Sequence, residues 1–345
     1  MSATISSDSR DSRAKRPRVL LVAPNPVATF ISQDFQVLQS EFDAVMLSYQ
    51  NLTSIPHLRY EVRGADAMVI WFAGRHSPPA VWMARRRGIP VLTIIGGYEV
   101  FWIPEIRYGV PPGSLRARLL RWVLANSTRV AVVSRVMEER VSTLYPEIIA
   151  KTTRISNAVS TQRFQIGTAQ KRQGVLCVGV INRSTLIVKG WRLFREAALQ
   201  MPNEQFTAIG VVADRAGLEF VSKLPPNLTW LGAQYGADLI RRYQAASVYF
   251  QGSVHESFSL ALAESMACGC IPVVSRNGAL PEVAGDAGYY LDGLTPASAI
   301  KAITSALSAS EERRTLARQR IIDNFDLERR RVALCDLVRQ MLEAR

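Results

Sequence analysis

Histidine and cysteine are scarce in this chain of 345 residues, which has three of the first and four of the second. Cys177, Cys268, Cys270 and Cys335 show no metal-ligand spacing, and the histidines do not accompany them. They read as buried thiols of a reducing, cytoplasmic compartment. No Asp-x-Asp pair occurs, so no metal and no cofactor is expected. No apolar run approaches the roughly 18 residues of a membrane span. The opening Met-Ser-Ala-Thr-Ile-Ser-Ser-Asp-Ser-Arg lacks the apolar core of a signal peptide. It reads as a disordered basic tail over 1–16. Acidic residues number 29 against 42 basic ones, a net charge of +13. That balance suits an anionic partner, or simply reflects solvated arginines. No RNA-binding motif or interleaved aromatic platform accompanies it, so nucleic acid is not the expected partner.

What is present is a twice-repeated strand and helix alternation. Apolar runs at Val19–Val22, Ala67–Phe72, Val91–Ile95 and Arg129–Val133 alternate with helical patterns such as Ala80–Arg87 and Leu115–Ala125. After a polar stretch the pattern restarts. Strands are expected at Val175–Val178, Phe206–Val211, Leu228–Leu231 and Ser247–Phe250, with helices at Gly190–Met201 and Ala237–Ala246. Short buried strands alternating with helices imply α/β architecture, a parallel sheet covered on both faces. The expected organisation is a first doubly wound, Rossmann-like domain over 17–156, a linker over 157–174 and a second such domain over 175–326. A last helix, Leu327–Leu342, carries Leu334, Leu337, Val338 and Met341 on one side.

The densest signal runs from Val254 to Gly285. Glu256 and Glu264 bracket seven residues of Glu-Ser-Phe-Ser-Leu-Ala-Leu-Ala-Glu, followed by Met-Ala-Cys-Gly and a strand, Ile271–Val274. The periodicity gives a helix over Ser257–Cys268 with Glu256 at its start. Eight helical steps put Glu264 about 80° around the axis and about 12 Å along it, so the two carboxylates hold two parts of one extended ligand. The amides of Ser257, Phe258, Ser259 and Leu260 would be the unpaired donors of the helix start, a site for phosphate. Hydroxyls, a diphosphate and a ribose in sequence fit that layout.

This motif resembles the donor-sugar motif of the retaining glycosyltransferases of the GT-B fold, in particular family 4 (group 1). The resemblance implies two Rossmann-like domains facing across a cleft, the first on the acceptor side and completed by residues 327–345. It implies that Glu256 contacts the donor sugar and Glu264 holds the ribose hydroxyls. The segment Val178-Gly-Val-Ile-Asn-Arg183, followed by Lys189-Gly190, resembles the family's diphosphate-binding loop. Gly179 then belongs to the donor site, and Lys189 and Arg183 to the leaving diphosphate. Arg183 is offset from the family's arginine, whose place Val180 takes, and it is either that cation or a solvated loop residue. Glu282 matches a family position that is mostly structural. Ser257 and Ser259 stand where the family often has glycine, which adds two hydroxyl donors.

The first domain is less explicit. The family's usual His-Gly is replaced by Gly97, Tyr98 and Glu99 after the strand Val91–Ile95, where glycine either lets backbone approach a ligand or forms a tight turn. Arg75 and His76 follow another strand. His76 either orients an acceptor hydroxyl or is a solvated loop residue. The basic stretch 113–125 aligns Leu115, Leu119 and Trp122, with Arg118 and Arg121 elsewhere. Such a helix either lies on an anionic membrane surface, giving a peripheral protein at its inner face, or turns its apolar side to the core.

The function implied is a metal-independent, retaining transfer of a sugar from a nucleotide-diphosphate sugar to an acceptor hydroxyl of a glycan, glycolipid or small molecule. The alternatives are a nucleotide-sugar epimerase, a sugar-phosphate-using enzyme of the same fold, or a binding protein for nucleotide sugar or nucleic acid without turnover.

Overall fold

The computed structural model describes residues 16–49, 52–167 and 172–345. The tail read over 1–16 lies outside the described residues, apart from Arg16. Two six-stranded parallel sheets organise the chain. The first contains β1 (Arg18–Ala23), β2 (Asp43–Ser48), β3 (Ala67–Trp71) and β4 (Val91–Ile95). A small antiparallel hairpin follows, β5 (Trp102–Ile103) with β6 (Tyr108–Gly109). Then β7 (Arg129–Val132) and β8 (Thr152–Arg154) complete the first sheet in the order β2-β1-β3-β4-β7-β8.

The second sheet contains β9 (Val175–Val178), β10 (Phe206–Ile209), β11 (Leu228–Trp230), β12 (Val248–Gln251), β13 (Ile271–Val274) and β14 (Tyr289–Tyr290). Its order is β11-β10-β9-β12-β13-β14. In both sheets the order reverses beside the first strand, which opens a crevice beyond the carboxyl ends of the strands. The central strands β3 and β4 are buried at every residue, as strands covered on both faces must be.

The helix Trp191–Gln200 buries Trp191, Phe194 and Ala198 against the second sheet. The helix Ser77–Arg85 begins three residues earlier than its apolar period suggests, because Pro78 and Pro79 fit a first turn. The basic helix spans Leu115–Asn126, with Ser114 accepting the Ala117 amide as its cap. Its core side is Leu120, Val123 and Leu124, whereas Leu115, Leu119 and Trp122 face outward at 71%, 38% and 37% exposure.

The last helix, Leu327–Glu343, returns to the first sheet and packs on the helix Thr29–Glu41 and on β3. Arg330 locks it there. Its guanidinium grips both oxygens of buried Asp34 at 2.6 Å and donates to the carbonyls of Ile155 and Ser156 at 2.9 Å. Trp71 Nε1 donates to the same Asp34 at 2.8 Å. The polar stretch read as the linker, 157–174, holds buried Ala158, Val159 and Phe164 among its described residues. Val159 accepts the Leu327 amide and donates to Phe325, so the two crossings between the sheets lie side by side.

Candidate functional site

The motif helix begins at Leu260 and ends at Ala267, three residues later than its periodicity suggests. Ser259 causes the shift. It adopts a left-handed conformation, φ 78°, and caps the helix by accepting the Leu262 amide. Glu256, Ser257 and Phe258 therefore belong to the incoming loop, and the helical spacing of Glu256 from Glu264 does not apply. Leu260 opens the helix instead of closing its first turn. The Phe258 side chain is core, edge-on to Phe325 at 5.2 Å. The Ser259 hydroxyl is turned inward, donating to Gln251 Oε1 at 2.6 Å, so it is not a free donor for a ligand.

Glu256 is buried and its Oε1 accepts three hydrogen bonds: from Lys189 Nζ at 2.6 Å, Gln251 Nε2 at 2.6 Å and Ser253 Oγ at 3.1 Å. Among the described residues nothing engages Oε2, which leaves it open to a ligand. Backbone geometry brings Lys189 here. Val254 donates to Val188 at 2.9 Å, and Gly190, at φ 75°, lies so close to Gly252 that a Cβ would meet its carbonyl oxygen at 2.2 Å. Burial works against the Lys189 ammonium, but the Glu256 carboxylate outweighs it and holds the lysine above its ordinary value. Gly179 lies beside the Lys189 stem.

Glu264 sits on the following helix. Its Oε2 accepts the Tyr243 hydroxyl at 3.0 Å. Burial pushes its carboxyl up to about 7, against the opposing pull of Tyr243 and Arg163. Arg183 is exposed, and its amide donates to Asp214. Among the described residues no contact draws its side chain to the Lys189–Glu256 pair.

The first half of the chain closes over this pair. Gly97 takes φ 126°, and a Cβ there would lie 1.7 Å from Ser257 Oγ. The Glu99 carboxylate accepts the amides of Gly96 and Gly97 at 3.2 and 2.9 Å, and burial raises its affinity for a proton. Phe101 stacks on His255 with ring centroids 3.5 Å apart, and the Arg140 guanidinium lies over the Phe101 ring at 5.4 Å. Burial pushes His255 down to about 4, with Glu256 opposing and Lys189 and Arg140 adding to it, so the imidazole is neutral. Tyr108 on the hairpin feels the charges of both Lys189 and Glu256. Tyr98 packs edge-on against Tyr108 at 5.1 Å. Glu282 accepts the Arg135 amide at 2.8 Å, a further link between the halves. Replacing Gly97 by alanine forces the loop away from Ser257. We expect a loss of about 1–3 kcal/mol, read as a lower unfolding midpoint and faster amide exchange over 253–258.

Next to the closed contact lies a cavity of about 560 Å³, walled by Tyr49, Phe72, His76, Tyr98, Glu99 and Leu119, with Arg75 and Arg116 also in its lining. His76 is buried, and its Nε2 pairs with the Trp71 carbonyl at 2.8 Å, which makes Nε2 the donor and leaves Nδ1 as an acceptor. Burial lowers its pKa, opposed by that bond. Among the described residues no group of three or more His, Cys, Asp or Glu converges as a metal site requires. No helix among them is long and apolar enough to cross a membrane.

Sequence reasoning misses Gln251, Ser253, His255 and Phe101. Gln251 carries a signal, as a lone polar residue ending the apolar strand Val-Tyr-Phe-Gln. Ser253 acts within its own loop, on Glu256 three residues on, and His255 and Phe101 are visible only once the two halves meet.

The family model for glycosyl transferases group 1 matches residues 159–321. A phosphatidylinositol N-acetylglucosaminyltransferase subunit of Arabidopsis thaliana is 27% identical over 61% of this chain and 49% of its own length. The chain thus spans about half the length of that curated relative. Sucrose-phosphate synthase of Thermosynechococcus elongatus superposes with a TM-score of 0.76 at 16% identity, over 96% of this chain and 100% of that one. Anabaena HepE in complex with UDP and glucose gives a TM-score of 0.75 at 12% identity, over 94% and 99%. Residues 159–321 are thus similar to a glycosyl transferases group 1 domain, within a chain that has the GT-B fold over nearly its whole length.

Proposed function

We propose that the protein is a retaining glycosyltransferase that moves a sugar from a nucleotide-diphosphate sugar to an acceptor hydroxyl. The observation that carries this reading is the Lys189–Glu256 pair, 2.6 Å apart at the carboxyl ends of β9 and β12, with Glu256 Oε2 open. Lys189 supplies positive charge where the leaving diphosphate gains negative charge. Glu256 Oε2 accepts a hydroxyl of the donor sugar. The first amides of the helix Leu260–Ala267 face the phosphates, and Glu264 accepts the ribose hydroxyls. The role of Arg183 is reduced to a solvated residue at the rim.

Three donors on Oε1, one of them cationic, make Glu256 a poor nucleophile, which favours reaction on one face over a covalent intermediate. The glycosidic C–O bond to the diphosphate breaks, the acceptor oxygen bonds the same face of the anomeric carbon, and its proton passes to the departing phosphate oxygen. The cavity beside the closed contact receives the acceptor, with His76 Nδ1 and the Glu99 region as hydrogen-bond partners for the reacting hydroxyl. Lys189 provides the charge that a metal ion provides in other sugar transferases, so no metal is required.

The test is a thermal-shift screen of nucleoside diphosphates and their sugars, followed by NMR of the product. Stabilisation by one nucleotide family and a product of unchanged anomeric configuration support the reading. No stabilisation by any member sinks the donor site, an inverted anomer sinks retention, and an epimerised donor without transfer sinks the reaction.

Glu264 adds a pH dependence. Its folded-state pKa of about 7 lies above the ordinary carboxylate value, so the charged form that accepts ribose hydroxyls is lost as pH falls through about 7. Affinity for a nucleotide sugar should strengthen by up to about tenfold per unit as pH rises from 5.5 towards 7 and then level off. Isothermal titration across that range checks it. Glu264→Gln should bind more weakly at neutral pH and show no such rise.

A further inference from the structure

The hairpin of β5 and β6 reaches from the first half towards the Lys189–Glu256 pair. Its root is fixed at Phe101, whose ring lies on His255, the residue before Glu256. Trp102 pairs with Gly109 and Ile103 with Tyr108. Pro104 opens the turn, and Arg107, left-handed at φ 50°, closes it. Gly109, at φ 100°, lies so close to Phe101 that a Cβ would meet its carbonyl oxygen at 1.9 Å. The Val110 amide donates to that same oxygen at 2.8 Å. Tyr108 is therefore held beside the contact on His255. Its ring stands edge-on to Tyr98, 5.1 Å away, on the wall of the cavity.

The Tyr108 phenol lies in the combined field of Lys189 and Glu256 from the second half and of Tyr98 and Glu99 from the first. Burial is the largest influence on it and keeps it protonated, so it is a standing hydrogen-bond donor. It is half-buried and, among the described residues, makes no hydrogen bond. The neighbouring first-half groups are already engaged. Both Glu99 oxygens hold the amides of Gly96 and Gly97, Phe101 is apolar, and Arg140 Nε donates to the Val100 carbonyl. Across the cleft Lys189 Nζ and Glu256 Oε1 hold each other, which leaves Glu256 Oε2 as an acceptor alone. A sugar hydroxyl that donates to Oε2 still has lone pairs to satisfy, and a pyranose seated there carries further oxygens beyond the reach of Glu256. An unpaired neutral donor beside that carboxylate meets this need.

We propose that Tyr108 holds the donor sugar from the first half of the chain, its hydroxyl donating to a sugar oxygen while Glu256 Oε2 accepts from the same sugar out of the second half. The two grip the sugar together only when the halves are closed, so Tyr108 reads the sugar and not the nucleotide. This rests on the transfer reading above and adds to it a residue that selects the sugar.

The test is isothermal titration of the full chain and of Tyr108→Phe with UDP, GDP and ADP and with UDP-glucose, GDP-mannose and ADP-glucose. Release of nucleoside diphosphate from the same sugars, with water in place of the acceptor, is measured beside it. Phenylalanine keeps the ring and its contact with Tyr98 and removes the hydroxyl. The parent should bind one nucleotide, and bind it more tightly with its sugar attached. Tyr108→Phe should bind that bare nucleotide as the parent does, while its preference for the nucleotide sugar falls by about three- to tenfold. Its kcat for donor hydrolysis should fall by about tenfold or more, with the unfolding midpoint unchanged. Tyr60→Phe removes an exposed hydroxyl from the helix Ile55–Gly64 and should match the parent in every measurement. An unchanged sugar preference in Tyr108→Phe overturns the inference, and is the result expected of a hydroxyl that meets only the acceptor. An equal loss for nucleotide and nucleotide sugar also overturns it, since that marks a packing role. So does a parent that gains no affinity from the attached sugar. In these three cases the nucleotide site stands. A parent that binds none of the six ligands sinks the transfer reading and the inference with it.

Discussion

Glu256→Gln should lower sugar transfer by about 10²–10³-fold while leaving the fold and the affinity for nucleotide nearly unchanged. The carboxylate is fixed by Lys189, Gln251 and Ser253 through one oxygen, so the other is presented to the cleft with little freedom. A group held this firmly acts on the geometry of the transition state more than on ground-state binding. Glutamine has the same shape but no charge, and its amide group would confront the Lys189 ammonium with donors. On the proposed reading Lys189 loses its counter-charge and the sugar loses its acceptor, whereas the helix Leu260–Ala267 and Glu264 are expected still to hold the nucleotide. Steady-state kinetics with the donor found by thermal shift, beside circular dichroism of both proteins, checks this. Turnover within tenfold of the parent would remove Glu256 from the reaction.

The second large effect concerns stability. Arg330→Met should destabilise the chain by about 3–5 kcal/mol, because it strands the Asp34 carboxylate in a dry interior. The pair is 4% and 0% exposed at its two side chains, so water cannot take over the role of the missing partner. The carbonyls of Ile155 and Ser156 lose their donor as well. Adding Asp34→Asn to Arg330→Met should recover part of the loss, since an amide there carries no charge and still accepts the Trp71 Nε1 hydrogen bond. Urea unfolding of the parent, both single variants and the double variant gives the coupling directly. A double variant no more stable than Arg330→Met alone would show that the stranded charge is not the cause. The same comparison reads the docking of the last helix, since Arg330 is its buried tie to the first half, beside the Arg331 and Arg339 pairs with Glu41.

Much of the architecture is legible in the sequence, for a reason of scale. Strands buried on both faces, such as Val91–Ile95 and Ile271–Val274, are continuous apolar runs, and the bounds of these two follow directly from the runs. β2 escapes such reading, because Asp43–Ser48 is an edge strand with exposed ends and no clean period. The hairpin Trp102–Gly109 escapes it too, since strands of two residues carry no periodicity at all. Periodicity places the motif helix three residues early, because a left-handed serine at 259 leaves no mark in apolar spacing. The helix Leu115–Asn126 contains two apolar stripes, Leu115–Leu119–Trp122 and Leu120–Val123–Leu124, and period alone gives no preference between them.

Residue types and local order determined the two parallel sheets, the carboxylates at 256 and 264 and the lysine at 189, because each depends on chain neighbours within one strand and helix. The tertiary structure decided the rest. It set Lys189 against Glu256 across 67 residues of sequence, put His255 on Phe101, turned Ser259 inward to Gln251 and made a basic helix the wall of a cavity. Apart from the Ser259–Gln251 bond, which spans eight residues, such contacts join segments from separate parts of the chain, and their energies depend on burial and on charges that no single segment contains.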